Sequence, residues 1–249
     1  LLYIIIMGSI SILNPCFLYS QVTKPEHIVY NESGKFSVQI FGTYVSSAEL
    51  QNDINSPIEF LRDASVELSG GYGGGGEISF NPGFSNLGIS FYLSSEYLKV
   101  NDDELLMRLV QDSNNVNIRI AEEYTLIPLE AGLKWRLPVS TERFKIFIGG
   151  GAGVYFGDRT RTIGGLQSQT VTKKPGFSMN VLAGLEYFVS RNLSVDFEFK
   201  FREASFDNES RFDSDFVYAN GYSFRIDNPI YSRFIVDGTR ISAGLKYHF

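Results

Sequence analysis

Two carboxylates two positions apart, Asp196 and Glu198, are the residues that most invite a catalytic reading of this chain. Paired acids flanking a sugar bond would serve a glycoside hydrolase as proton donor and nucleophile. Their setting argues otherwise: they share one face of an extended segment with Lys200 and Arg202, so cations surround them. Histidine chemistry has little material, because the chain holds only His27 and His248. Ser242 lies far up the same closing segment as His248, and nothing marks the two as nucleophile and base. Gly71-Tyr72-Gly73-Gly74-Gly75-Gly76 matches the glycine pattern of a dinucleotide loop, but Glu77-Ile78-Ser79-Phe80 continues as a strand where a helix should open. The run reads as bending or close packing within a curved strand, and so does Gly149-Gly150-Gly151-Ala152-Gly153. The expectation is a chain with no catalytic residues, no metal ligands and no cofactor.

What remains is a balanced set of charges: Glu77, Glu130, Lys134, Arg136, Glu186, Asp196, Glu198, Lys200, Arg202 and Lys246, with five acids and five bases. Three echoed segments position several of them. Ala131-Gly132-Leu133-Lys134-Trp135, Ala183-Gly184-Leu185-Glu186-Tyr187 and Ala243-Gly244-Leu245-Lys246-Tyr247 follow one plan. In an extended strand Ala, Leu and the aromatic point one way, while Gly and the charge point the other. A membrane barrel uses that plan, with apolar side chains toward lipid, aromatics at the headgroups and charges in a polar lumen.

Period-2 patterning gives eight strands, at about Lys35–Val45, Glu67–Phe80, Asn86–Tyr97, Arg119–Leu137, Arg143–Asp158, Gly176–Val189, Leu193–Arg202 and the closing segment to Phe249. Short turns at Asn81–Ser85, Pro138–Glu142 and Ser190–Asn192 alternate with long connections at Ser46–Val66, Leu98–Ile118, Arg159–Pro175 and Glu203–Gly238. That alternation predicts an all-β, eight-stranded antiparallel up-and-down transmembrane β-barrel with its turns in the periplasm and its loops outside. Strand eight must pair with strand one, since hydrocarbon offers no partner to an open sheet edge. Phe80, Trp135, Tyr187 and Tyr247 then form an aromatic girdle at the periplasmic level. Within the loops, Pro57–Arg62 after Ser56, and Leu105–Val110 after Asp102-Asp103-Glu104, carry helix-start signals.

The composition agrees. With 20% charged residues, 21 Phe, 14 Tyr and 24 Gly, the chain is too polar for a helical membrane protein and suits a barrel whose two faces cancel in the average. A net charge of −6 without a basic cluster argues against nucleic acid. Leu1–Ser20 reads as a signal peptide and residues 21–34 as a short periplasmic segment, leaving 35–249 as the barrel domain. Cys16, the sole cysteine, falls in the leader, so the mature chain has no thiol chemistry.

Leu126-Ile127-Pro128-Leu129 leading into the first echo, the glycine-rich strand Ile148–Phe156 and the terminal Tyr247-His248-Phe249 resemble the outer membrane protein β-barrel domain family, the small barrels of OmpA, OmpX and OmpW type. The resemblance covers about Lys35–Phe249 and implies a place in the outer membrane of Gram-negative bacteria. It implies that Tyr247 and Phe249 form the C-terminal signal read by the barrel-insertion machinery. It does not choose among structural, adhesive and solute-passing members. The expected partners are outer-membrane lipid, the insertion machinery and an extracellular ligand met by the loops. The expected function is non-enzymatic, structural or surface-binding. The alternatives are a narrow porin-like channel or carrier for small solutes, hydrophobic ones included, and, more remotely, a lipid-modifying enzyme dependent on His248.

Overall fold

The structure is a computed structural model that describes residues 35–83, 88–111, 114–219 and 221–249. The leader expected at 1–20 and the segment expected at 21–34 lie outside the described residues. Numbered along the chain, the strands are β1 (Phe36–Val45), β2 (Ala48–Gln51), β3 (Ser65–Leu68), β4 (Gly71–Phe80), β5 (Ile89–Gln111), β6 (Asn114–Arg136), β7 (Phe144–Ile163) and β8 (Leu166–Lys173). They continue as β9 (Gly176–Phe188), β10 (Leu193–Arg202), β11 (Ala204–Phe212), β12 (Phe216–Ala219), β13 (Tyr222–Arg225), β14 (Ile230–Val236) and β15 (Thr239–His248). One helical turn, α1 (Glu59–Arg62), interrupts them.

Eight of these strands pair in a closed antiparallel cycle, β1-β4-β5-β6-β7-β9-β10-β15 and back to β1. Closure runs through Val38↔Tyr247 and Ile40↔Leu245, so the last strand pairs with the first as hydrogen bonding in lipid requires. Alternation sorts the faces. Along β1, Phe36, Val38 and Ile40 stand exposed while Ser37, Gln39, Phe41 and Thr43 are buried inside. Glycines let the interior close up. The Tyr92 ring lies against Gly132 and Gly151, whose added Cβ atoms would strike that ring and the backbone of the adjacent strand.

The long connections are not loops. β5, β6 and β7 run on beyond the ring, and β7 turns back at Gly164-Gly165, both at positive φ, to start β8. From β8 the sheet continues through β11, β14, β2 and β3. Its far edge returns to β5, where the Ser69 backbone N–H and hydroxyl both donate to Asp102 at 3.2 Å. β12 and β13 form a separate hairpin. Inside this upper sheet lie two apolar clusters. One joins Leu98, Val100, Tyr124 and Leu126 of the extended strands to Leu50, Phe206 and Phe234. The other, farther out, holds Leu109, Ile120, Ile163, Phe212, Val217 and Phe224.

Two expectations fail here. The helix expected at Leu105–Val110 is part of β5, because it pairs with β6 from Leu105↔Ile120 onward, after a register slip between Asp102 and Leu105. That bulge reverses which face points in, so Leu105, Met107 and Leu109 turn toward the core and the acidic run sits at the bulge. The strand expected at Glu67–Phe80 is two strands, broken at Ser69-Gly70, with β3 paired to β2 and β4 to β1. The turn expected after Ser56 exists as α1, although its N-cap is Ile58, and Ser56 accepts the Ile58 N–H at 3.4 Å.

Close packing at Tyr92 yields a paired test. Gly151→Val places side-chain atoms against Ala131 and the Tyr92 hydroxyl, whereas a Cβ at Gly42 meets nothing within 4 Å. Gly151→Val should abolish the heat-dependent mobility shift of the refolded barrel on a detergent gel, while Gly42→Ala should keep it. Normal folding of Gly151→Val would show that the wall does not depend on this contact.

Candidate functional site

The lumen is the candidate site. Strand alternation aims the acids and bases of β4, β5, β6, β10 and β15 inward, where an eight-stranded ring leaves room for side chains and little else. Glu198 lies at the hub. Its carboxylate meets Arg240 at 3.0 Å, Lys134 at 2.9 Å and Lys200 at 3.5 Å. Arg240 reaches Glu96 at 2.7 Å, Glu96 takes Arg202 at 2.7 Å, and Arg202 reaches Glu130 at 3.3 Å. Glu130 returns to Lys200 at 2.6 Å. The six residues thus form a closed circuit of alternating sign, with Glu77 attached through Lys134 at 2.7 Å and Tyr155 donating to Glu130. Tyr92 closes one side, donating to Asn180 at 2.9 Å while the Lys134 and Lys200 ammoniums lie over its ring.

Nearer the turns, a second group holds Glu186, Asp196, Lys246 and His248. Gln39 donates to Asp196 at 3.1 Å, and Lys246 stands 4.0 Å from the same carboxylate. His248 Nε2 lies 2.9 Å from the Ser194 hydroxyl and 2.8 Å from Glu186. This Ser–His–Glu cluster lacks the order that nucleophilic catalysis needs. The acid and the serine share one ring nitrogen, the Ser194 hydroxyl donates to Glu186 at 2.6 Å, and Ser194 is fully buried. Ser242, weighed against His248 from sequence, instead faces Arg240 at 3.1 Å.

Of the ten lumen charges read from sequence, all but Arg136 are buried; Arg136 is half-buried at the turn end. Sequence reading left out Glu96, Arg240 and Lys145, though each continues the inward parity of its own strand. It also left out Glu122, which lies within the fourth expected strand, and Arg159 and Arg161, which lie beyond the expected end of the fifth. The girdle residues Phe80, Trp135 and Tyr247 face outward and exposed, with Tyr187 half-buried beside Phe144 at 4.8 Å between rings. Tyr247 and Phe249 meet edge to face at 5.0 Å. At the loop end the outward face turns charged, with Lys99 paired to Glu123 at 2.9 Å and Lys173 to Asp158 at 2.5 Å.

The wall has a notch. The β9–β10 ladder ends at Asn180↔Arg202, where β10 stops and the chain goes on into β11. A shallow, open depression of about 320 Å³ lies there, lined outside by Met179, Val181 and Phe201 and backed by Arg202.

Against known proteins, the sequence profile of the outer membrane protein beta-barrel domain family matches residues 31–249. The fold is similar to that of OprG from Pseudomonas aeruginosa, with a TM-score of 0.54 at 11% identity over 87% of this chain and 97% of that one. Neisserial surface protein A is similar with a TM-score of 0.43 at 13% identity, covering 86% of this chain and 97% of that one. Ail, the attachment invasion locus protein of Yersinia pestis, is similar with a TM-score of 0.39 at 13% identity, covering 86% and 99%. No curated protein matches the sequence.

The hub makes a stability prediction. Glu198→Gln removes the charge that balances three cations, and breaking a buried ion pair costs roughly 3–5 kcal/mol. The urea midpoint of the folded barrel in lipid vesicles should fall accordingly. Glu123→Gln, which breaks only the exposed pair with Lys99, should leave it near the original value. An unchanged midpoint for Glu198→Gln would mean that the circuit does not hold the lumen.

Proposed function

This chain belongs to the outer membrane protein beta-barrel domain family, and from that footing we propose that it is a non-enzymatic surface protein of the bacterial outer membrane. In this reading the ring is an anchor and the extracellular sheet is the working part. The observation that carries it is the double closure of the interior. The charge circuit fills the membrane level, and the apolar cluster around Tyr124 and Phe234, whose rings stack at 4.0 Å, seals the level above. A solute would have to break both. Lipid holds the outward apolar face, and Tyr247 and Phe249 supply the aromatic end for the insertion machinery. What reaches the medium is a packed β structure with exposed aromatics on the β12–β13 hairpin, Phe216, Tyr218 and Tyr222, suited to contact with another surface.

The notch between β9 and β10 supports a second reading, a carrier that releases a small apolar solute sideways into lipid. Arg202, at the back of the notch, is clamped by Glu96 and Glu130, so this reading requires the circuit to open.

Planar-bilayer recording from the refolded full chain separates the two. The anchor reading expects no stable open events from a barrel whose folding has been verified. It also expects cells expressing the chain to lose surface binding of their partner when the β12–β13 hairpin is replaced by a short turn. Reproducible open events would overturn it and make solute passage the working function.

A further inference from the structure

The interior of the extracellular sheet is layered. On β6, β7, β11 and β14 the inward residues keep one order away from the ring. Tyr124, Phe206 and Phe234 come first, then a polar band, then Ile120, Ile163 and Phe212. The band lies above the outward charges Lys99, Glu123 and Asp158, and so outside the membrane-spanning segments. A polar band between two apolar layers is costly unless its groups are satisfied.

One side of the band is tightly made. Arg159 donates to Glu122 through Nε at 3.0 Å and Nη2 at 2.9 Å, and Arg161 Nε donates to the same carboxylate. The side-chain carbonyl of Asn52 accepts from Nη2 of both arginines. Two guanidiniums therefore share one carboxylate, and the side chains of Arg159 and Glu122 are wholly inaccessible to solvent. Burial, with Arg159 alongside, weakens the hold of Arg161 on its proton. Outside the band, charges at this level pair on the outer face, as Asp207 does with Arg233 at 2.7 Å and Lys173 with Asp158 at 2.5 Å.

The other side of the band is not made. Arg159 Nη1, both amide atoms of Asn208 and the hydroxyl of Ser210 are buried without a hydrogen-bond partner, and the buried hydroxyls of Ser232 and Tyr124 have at most each other. The register gathers them. Tyr124 is the direct neighbour of Arg159 and Asn208 of Ser232, and the Ser232 hydroxyl lies beside that of Tyr124. Ser210 is opposite Thr170, whose hydroxyl bonds the Arg159 backbone at 3.0 Å. Each unpartnered residue can donate a hydrogen bond, and the surplus charge of the band is one positive.

We propose that this band is a binding site for one small monovalent anion of halide size, held by Arg159 Nη1 and the donors of Asn208, Ser210 and Ser232. One negative charge neutralises the surplus. The complete enclosure of Arg159 excludes a bulky ligand, and a divalent anion would overshoot the charge. The site is independent of the surface-binding reading, since it concerns how the extracellular sheet is held together, whether or not the ring conducts.

The test uses the refolded full chain, with bromide as the probe. Crystals grown from sodium bromide should show an anomalous peak within hydrogen-bond reach of Arg159 Nη1. In solution, protease resistance of the extracellular sheet should rise saturably as bromide replaces gluconate at constant ionic strength. Ser232→Ala keeps the charge and should raise the half-saturating bromide concentration roughly tenfold or more, the effect of losing one hydrogen bond to a charged group. Arg159→Gln should abolish the response; should that variant not fold, the wild-type titration and Ser232→Ala still decide. Equal resistance in bromide and gluconate with no peak would overturn the proposal and leave a band that holds water. A peak with an unshifted Ser232→Ala titration would overturn it as an adventitious ion only.

Discussion

Every backbone N–H and C=O in hydrocarbon must find a partner within the protein, and the rest of this molecule follows from that constraint. It forces β15 onto β1 and closes the ring. Closure at eight strands then sets a lumen about as wide as its own side chains. Since alternation must send half of each strand inward, acids and bases from different strands are brought within reach of one another. The circuit through Glu198, Arg240, Glu96, Arg202, Glu130 and Lys200 is how such a lumen becomes tolerable: no buried charge is left alone. The family match and the ring describe one object, an outer-membrane barrel with a filled interior.

The same ladder logic carries past the membrane. Above the level of Lys99 and Asp158 water could satisfy the backbone, so closure is no longer obligatory, yet β5, β6 and β7 continue and recruit five more strands. Two apolar clusters make this extension worthwhile, because Phe206, Phe234 and Tyr124 bury against strands the barrel already orders. The extension therefore inherits its rigidity from the ring below. A binding surface built this way loses less conformational entropy on contact than a set of loose loops would.

The membrane part of the fold was largely legible, and its legibility has a physical source. β10 runs Leu193–Arg202 as its alternation dictates, because lipid on one side and a polar lumen on the other leave each position a single choice of side-chain type. Glu96 and Arg240 were within reach of the same argument: they continue the inward series Tyr92, Ser94 and Ser242, Gly244, Lys246. The extracellular sheet was not legible. Arg159-Thr160-Arg161-Thr162 has no apolar face to signal a strand, and it is a strand because β6 pairs with all four residues and β8 with Thr162. The bulge after Asp102 hid the rest, reversing the facing of β5 so that Leu105-Leu106-Met107 fits no single period across the junction.

That contrast bears on where selection by chemistry acts in this chain. At the membrane level the side chains answer to lipid and to one another, and even Ser194, Glu186 and His248 form a satisfied knot with no exposed nucleophile. Such groups hold a shape through their contacts with one another. Above the membrane the two requirements separate. The apolar clusters hold the shape, which frees the polar band between them and the exposed aromatics at its margin for other uses. A function of this protein that depends on recognition is therefore sought in the strands that the barrel supports, and the lumen is the part that must stay still for them to work.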